Sequence, residues 1–265
     1  MKTNYHTHHG ICGHAFGTAE MYISNAVKEG VKILGFSDHS PSSRKGDLGF
    51  RMTPSDLYIY LDDIANAKLK YKDHIQVFSG LEIEYLHDSS EYYNNLKNKV
   101  DYFILGQHFV SMTDNKDDLF STYDFTKKEH LFKYLETIKR ALKELPISIL
   151  AHPDLYLINY QTWDEHSEYV AHEICKIAKE TNTYIEFNAN GFRRDKINTI
   201  YGKIYQYPRF DFFEVVKHYQ LPVIVNSDCH HPSQVYDTTM KAAVNKAKEL
   251  GLNVVDEIQF KNMLI

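Results

Sequence analysis

Residues 32–39 read Lys-Ile-Leu-Gly-Phe-Ser-Asp38-His39, and the predicted fold depends on the pattern in this stretch. A short apolar run of this kind predicts a buried strand, and candidate metal ligands follow directly after it. The pattern recurs along the chain, with histidine or carboxylate residues placed where apolar runs end. The strand candidates are Asn4 to His8, Lys32 to Ser37, Gln76 to Glu84, Tyr102 to His108, Ser148 to Ala151, Tyr184 to Asn188 and Val223 to Ser227.

Segments of helical period lie between these strands. Buried helical faces are predicted at Leu57, Leu61, Ile64 and Tyr71, at Leu131, Leu135, Ile138, Leu142 and Leu145, and at Val170, Ile174 and Ile177. Strands that alternate with helices predict an α/β fold with a parallel sheet, and seven such units predict a barrel or a strongly curved sheet. Barrel enzymes carry their active sites at the carboxyl ends of the strands. Because no linker-like segment divides the chain, we expect residues 1–265 to form one domain.

The composition excludes several classes of protein. Hydrophobic residues at 43% and charged residues at 25% match ordinary globular usage. A net charge of -5 lacks the basic footprint of a nucleic-acid-binding protein, so no stable nucleic-acid partner is expected. The chain shows no apolar signal segment and no apolar run approaching the roughly 18 residues of a membrane span, so no membrane partner is expected.

The chain contains three widely separated cysteines, which fit a reducing compartment better than a disulfide framework. The predicted location is therefore cytoplasmic. Cys12 and Cys229 lie beside candidate ligands, so each is either a buried packing residue or a metal ligand, and neither is assigned.

Histidine and carboxylate residues at the strand ends predict one multinuclear metal site. Side chains two residues apart on a strand project to the same face, so His6 and His8 can ligate one ion while His9 turns to the opposite face. Imidazole and carboxylate ligands suit zinc, iron or manganese, and the absence of a cysteine cluster argues against a closed structural zinc site. One zinc takes only four ligands, so two or three divalent ions are expected. The residues concerned are His6, His8, His14, Asp38, His39, Glu82, His108, His152, Asp228 and His230.

The order of these motifs resembles the polymerase-and-histidinol-phosphatase (PHP) superfamily over essentially the whole chain. The Asp-His-Ser-Pro stretch, Phe50-Arg51-Met52 and the Tyr-Pro pair at 207 and 208 are most similar to its histidinol-phosphate phosphatases. The motifs that carry the resemblance are His6-Thr-His8, His14, Ser-Asp38-His39-Ser-Pro, Gly80-Leu-Glu82, Gly106-Gln-His108-Phe, Ala-His152-Pro-Asp154 and Ser227-Asp228-Cys-His230.

The resemblance implies a distorted seven-stranded (β/α) barrel, similar to a TIM barrel, that holds three metal ions. The implied ligands are His6, His8, Glu82 and Asp228 for the first ion, His14, His39 and His230 for the second, and Glu82, His108 and His152 for the third. Asp38 would orient a neighbouring histidine without ligating, a role that metal sites commonly need.

The implied reaction is hydrolysis of a small-molecule phosphate ester, L-histidinol phosphate, to L-histidinol and inorganic phosphate in histidine biosynthesis. We expect attack by a metal-bound hydroxide without a phosphoenzyme. Phosphoryl transfer also favours arginine near the metals. Arg193 is the positional match for a phosphate-binding arginine, and Arg194 and Arg51 are further candidates. Either Asp228 or His230 would protonate the leaving alkoxide.

Two alternatives stay open. The chain could be another phosphoesterase of the same superfamily that acts on other phosphomonoesters, nucleotides or oligonucleotide ends. It could also be a catalytically silent metal-binding domain. Metal-dependent amide hydrolysis is disfavoured, because the bridging lysine that barrel amidohydrolases usually place after a strand has no counterpart: Lys32 precedes its strand.

Overall fold

A curved parallel sheet lies at the centre of the molecule. The computed structural model describes residues 1–42, 50–86, 89–113, 118–199 and 202–261. In chain order the strands of these residues are β1 (Thr3–Asn4), β2 (Ile33–Phe36), β3 (Gln76–Ile83), β4 (Tyr102–Leu105), β5 (Phe109–Ser111), β6 (Leu119–Ser121), β7 (Ile147–Leu150), β8 (Tyr184–Asn188), β9 (Ile197–Thr199), β10 (Gly202–Ile204), β11 (Pro222–Asn226) and β12 (Asn253–Val255). Eight of these strands form the central sheet in the order β1-β2-β3-β4-β7-β8-β11-β12, and every neighbouring pair is parallel.

Helices connect successive strands of the sheet. Within the described residues they are α1 (Ala19–Lys28), α2 (Asp56–Lys70), α3 (Ser89–Leu96), α4 (Lys128–Glu144), α5 (Glu165–Glu180), α6 (Phe210–His218) and α7 (Thr238–Glu249). Their apolar faces follow the predicted period: Leu131, Leu135 and Ile138 of α4 are buried. Among the helices of the described ranges, none is long and apolar enough to cross a membrane.

Both faces of the sheet are buried, because alternate residues of each strand belong to different apolar clusters. In β4, Phe103 and Leu105 pack in the cluster that includes the helices, whereas Tyr102 and Ile104 pack in a second cluster on the other face. Phe260 belongs to this second cluster and stacks on Tyr102 with ring centroids 4.7 Å apart. A strand with two buried faces reads as a continuous apolar run, which is why these strands were recognisable in the sequence.

The sheet curls so far that its first strand, β1, comes close to β11, and hydrogen bonds to side-chain amides join the ends of the two strands. The amide oxygen of Asn226 accepts a hydrogen bond from Tyr5 N at 2.8 Å, and that of Asn4 accepts one from Ser227 N at 3.0 Å. Beyond the strands, Thr7 forms a parallel bridge with Cys229. The predicted distorted (β/α) barrel is confirmed. The sheet has one strand more than the seven predicted, since β12 pairs with the amino-terminal half of β11.

Two antiparallel hairpins extend from the barrel and were not predicted. The hairpin β5–β6 follows β4, and the hairpin β9–β10 follows β8. Both therefore leave from the carboxyl ends of parallel strands, the edge where a barrel carries its active site. The β5–β6 hairpin supplies Phe109 and Ser121 to the lining of a cavity at that edge.

Candidate metal centre

A cavity of about 490 Å³ opens at the carboxyl ends of the strands. Most of the predicted ligands line it: His8, His14, His39, Glu82, His108, His152, Asp228 and His230. Two of them depart from ordinary backbone geometry, since His152 has φ 28° and Asp228 has φ 48°. Positive φ at residues other than glycine is costly and clusters at functional sites.

The first predicted ligand group is compact and buried. His6 Nε2 lies 3.1 Å from His8 Nε2, 3.4 Å from Glu82 Oε2 and 3.5 Å from Asp228 Oδ1. His8 Nε2 lies 3.3 Å from the same glutamate oxygen and 3.4 Å from the same aspartate oxygen. Zinc bonds of about 2.0–2.2 Å separate the ligand atoms of a tetrahedron by roughly 3.3–3.6 Å. Four of the five separations therefore fit one tetrahedral ion, and the fifth, between His6 Nε2 and His8 Nε2, is slightly shorter than this range.

The carboxylate of Glu82 faces histidines of all three predicted ligand groups. Its Oε2 atom also lies 3.0 Å from His39 Nδ1, while its Oε1 atom lies 3.1 Å from His152 Nε2 and 4.0 Å from His108 Nε2. Glycine at position 106 makes this placement possible, because a Cβ atom there would lie 1.8 Å from Oε1. The glutamate thus has the geometry required of a bridging ligand.

The second predicted group lies nearer the opening. His14 Nε2 and His230 Nε2 are 2.8 Å apart, and the His14 and His39 rings stack with centroids 5.4 Å apart. Cys12 lies beside this group, within ligand distance of His8, His14 and His39.

Buried ring nitrogens without hydrogen-bond partners test whether metal ions fit. Within the described residues, Nδ1 of His39, His108 and His152 has no hydrogen-bond partner although it is buried. Burying a polar atom without a hydrogen bond is unfavourable, and His39 Nδ1, which lies 3.0 Å from Glu82 Oε2, is therefore suited to ligate a cation; His108 and His152 face Glu82 through Nε2 instead. The imidazole and carboxylate donor set suits zinc, iron or manganese, so the residues present fit divalent ions.

The protonation states of Glu82, His108 and His230 suit metal binding. For His6 and His8 burial alone would lower the pKa, but neighbouring carboxylates raise it well above its usual range, so an ion bound there would displace protons. Burial alone would raise the pKa of Glu82, but neighbouring His39 and His6 hold it well below its usual range. Burial lowers the pKa of His108 to about 3 and that of His230 to about 4. The carboxylate is therefore anionic and these imidazoles are neutral near pH 7, which are the forms that ligate metals.

Glu186 is a buried residue of β8 that the sequence reasoning missed. Its Oε1 atom lies 2.8 Å from His6 Nδ1, and its Oε2 atom accepts a hydrogen bond from His152 N at 2.9 Å. A carboxylate on the second nitrogen of a ligating histidine fixes the ring and raises its basicity. One signal was available, because Glu186 and Asn188 are two apart on a predicted strand and so share a face.

Asp38 contacts His9, which is not among the predicted ligands. Its carboxylate lies 2.8 Å from His9 Nδ1 and accepts a hydrogen bond from His9 N at 3.0 Å. His9 Nε2 lies 3.3 Å from Asp63 of α2. The predicted turn of His9 away from the ligands agrees with this placement, and His9 is the histidine that Asp38 contacts.

Arg193, which was predicted to bind phosphate, contacts the loop after β11. Its guanidinium donates to Ser227 O at 2.7 Å, to Ser227 Oγ at 2.9 Å and to Asp237 Oδ1 at 3.1 Å, so it serves the loop after β11 and does not line the cavity. Arg194 does line the cavity, where it donates to the hydroxyls of Tyr207 and Tyr123. Arg193 is the last residue of the 3₁₀ turn at Ala189–Arg193 and Arg194 is its C-cap, and the two side chains point in different directions. Spacing in the sequence does not reveal this difference.

Arg51 also lines the cavity, and it forms a buried ion pair with Glu84. The other oxygen of Glu84 accepts hydrogen bonds from His108 N and Phe109 N, each at 2.6 Å. The ion pair thus ties the wall that carries Arg51 to the turn that carries His108.

Comparisons with known proteins agree with this geometry. A family model described as PHP domain matches residues 4–190. The chain is 23% identical to a protein of Deinococcus radiodurans named probable histidinol-phosphatase, over 93% of this chain and 92% of that protein. It is 27% identical to a Schizosaccharomyces pombe protein of the same name, over 89% of this chain and 82% of that protein.

Solved structures share the fold. The structure titled histidinol phosphate phosphatase from Lactococcus lactis, in complex with zinc, L-histidinol and phosphate, superposes with a TM-score of 0.73 at 17% identity. The match covers 97% of this chain and 98% of that one.

Proposed function

The chain belongs to the PHP domain family, and from this membership we propose that it is a metal-dependent phosphatase that hydrolyses L-histidinol phosphate to L-histidinol and inorganic phosphate in histidine biosynthesis. The relatives named histidinol-phosphatase support this substrate, as does the structural neighbour titled with zinc, L-histidinol and phosphate. We further propose that residues 1–265 act as one domain of this family. In support, Asp228 lies beyond the matched residues and still faces His6 and His8.

The observation that carries the proposal is the convergence of two carboxylates and seven imidazoles beneath a cavity that Arg194 faces. We assign three ions to the three groups: one to His6, His8, Glu82 and Asp228, one to His14, His39 and His230, and one to Glu82, His108 and His152. Divalent ions bound there would supply an activated water and neutralise phosphoryl charge.

The residues of the cavity would position the ester and move its protons. Arg194 would donate to the phosphoryl oxygens, since planar guanidinium suits bidentate binding of phosphate. Asp228 Oδ2 is held by the amides of Asn188 at 3.1 Å and Asn190 at 3.3 Å. Burial would raise the pKa of Asp228, but His6 and His8 lower it well below its usual range, so this carboxylate would accept a proton before it donated one to the leaving alkoxide.

The test is steady-state kinetics on L-histidinol phosphate against a panel of phosphomonoesters and phosphodiesters, with metal content measured on the same sample. We expect at least a tenfold preference in kcat/KM for L-histidinol phosphate. A preference below tenfold would reject the substrate, and turnover of diesters alone would favour a nucleotide-directed phosphoesterase.

Paired variants separate the site from the rest of the molecule. Glu82→Gln should lose metal and activity, because the amide keeps the size of the side chain and removes its charge. Glu136→Gln alters a glutamate whose side chain is 55% exposed on α4, so it should behave as the wild type. Equal activity of the two variants would contradict the assignment of the site.

A further inference from the structure

The second ring nitrogens of the predicted ligands show what holds each imidazole in place. In this structure Nδ1 of His6 contacts Glu186, as described above, and Nδ1 of His230 lies 3.2 Å from Asp228 O. The corresponding atoms of His8 and His14 both contact one residue, Cys12: its Sγ atom lies 3.5 Å from His8 Nδ1, and its carbonyl oxygen lies 3.3 Å from His14 Nδ1.

Cys12 also contacts a third predicted ligand and the wall of the cavity. Its Sγ atom accepts a hydrogen bond from His39 N at 3.3 Å and donates its S–H to Phe50 O at 3.7 Å. Phe50 and Arg51 line the cavity. The thiol is fully buried, so it exchanges none of these contacts for water.

These contacts distinguish a positioning residue from a metal ligand. His8 Nε2 faces Asp228 and Glu82, so when this nitrogen ligates an ion the ring proton is on Nδ1, which can then donate to Sγ at 3.5 Å. The thiol then accepts from two N–H groups and donates its single proton to a carbonyl, which uses its hydrogen-bonding capacity. A thiolate ligand would have no S–H to give to Phe50.

We propose that the thiol of Cys12 is a positioning group that orients the ring of His8 and holds the backbone at His39 for metal binding, and that it sets the wall at Phe50; the contact with His14 is made by the Cys12 carbonyl, which every substitution keeps. The proposal rests on the proposed function, because it takes these histidines to be the ligands. Partners of ligating histidines typically contribute 10- to 100-fold to metal affinity or activity. The thiol contacts His8 of the first predicted group and the backbone of His39 of the second, so its removal should affect the binding of more than one ion.

The experiment compares Cys12→Ala and Cys12→Ser with Cys175→Ala. Cys175 is a second fully buried cysteine, on α5, and its truncation removes the same sulfur from the core without touching a predicted ligand. Zinc affinity is measured by competition with a chelator, and each protein loaded with cobalt(II) is examined by absorption spectroscopy. Thermal unfolding of the metal-free proteins compares their folded states.

We expect Cys12→Ala to weaken zinc binding by about 10- to 100-fold and to lower kcat more than it changes KM. Cys12→Ser, which keeps one donor and one acceptor, should recover part of the loss, and Cys175→Ala should match the wild type in zinc affinity. The cobalt spectrum of Cys12→Ala should differ from that of the wild type in its d–d bands. If Cys12→Ala does not fold, the zinc affinity of Cys12→Ser and the cobalt spectrum of the wild type test the proposal instead.

Two results would overturn the proposal. Zinc affinity of Cys12→Ala within twofold of the wild type would make Cys12 a packing residue only, and a thiolate-to-cobalt charge-transfer band in the wild type would make it a ligand. Neither measurement uses a substrate. Weakened zinc binding in a protein that does not hydrolyse L-histidinol phosphate would reject the proposed function and still support the positioning role.

Discussion

Gly106→Ala tests whether Glu82 must lie where the structure places it. A Cβ atom at position 106 would lie 1.8 Å from Glu82 Oε1, 2.5 Å from Cδ and 2.8 Å from Cγ. Ordinary contacts of a Cβ atom begin near 3.4 Å, so the carboxylate would have to move by more than 1 Å. Gly106 is not among the residues with positive φ, so the clash and not backbone strain determines the effect.

The expected magnitude has two parts. Overpacking typically lowers the free energy of unfolding by about 1–3 kcal/mol. A misplacement of about 1 Å at a catalytic site costs roughly 100-fold in rate. Since the Oε1 atom lies 3.1 Å from His152 and the Oε2 atom faces His6, His8 and His39, metal content should also fall.

The assay is metal analysis of the purified variant with thermal unfolding and steady-state kinetics. Gly35→Ala is the matched control, because its Cβ would lie 2.2 Å from the Tyr102 hydroxyl and would overpack the core without contacting a predicted ligand. The control should lose stability and keep its metal. The reasoning is refuted if Gly106→Ala binds the wild-type complement of metal and turns over within twofold of the wild-type rate.

Three further predictions concern the arginines, Glu186 and the metals. Arg194→Ala should lower kcat/KM by about 10- to 100-fold, which is the equivalent of one charged hydrogen bond. Arg193→Ala should mainly lower the unfolding temperature. The opposite pattern would assign the phosphate-binding role to Arg193. Glu186→Gln should weaken zinc binding by about 10- to 100-fold in a chelator competition, because His6 loses its carboxylate partner; unchanged affinity would remove Glu186 from the site. Dialysis against a chelator should abolish turnover and lower the unfolding temperature, because Glu82 would keep its buried charge without a cation. Addition of zinc should restore both turnover and the unfolding temperature. Turnover that survives complete metal removal would contradict the mechanism.

The parts of the fold predicted from sequence are those where two signals coincide. The strand at Tyr184–Asn188 was found with its observed bounds because a β-rich apolar run ends in polar residues. The hairpins and β12 were missed because their three-residue strands carry no comparable apolar run. Short strands of this kind are specified by their tertiary contacts and not by a local pattern.

The same reasoning explains what the sequence revealed of the site. Histidines at strand ends converge because parallel strands end at one edge of the barrel, so their proximity follows from topology. The direction of an arginine in a 3₁₀ turn depends on how that turn packs, and Arg193 and Arg194 were therefore not distinguished. Glu186 was missed because a lone glutamate within a strand ordinarily faces solvent.

The sharing of Glu82 has a consequence for how the protein takes up metal. One oxygen of the Glu82 carboxylate faces His6, His8 and His39, and the other oxygen faces His152. An ion bound to the first oxygen would therefore fix the plane of the carboxylate for an ion bound to the second. If Glu82 is shared by two ions as proposed, binding at these groups is coupled, and linkage requires each ion to change the affinity of the other by the same factor. Titration with zinc should give a cooperative or anticooperative isotherm and not the sum of independent sites.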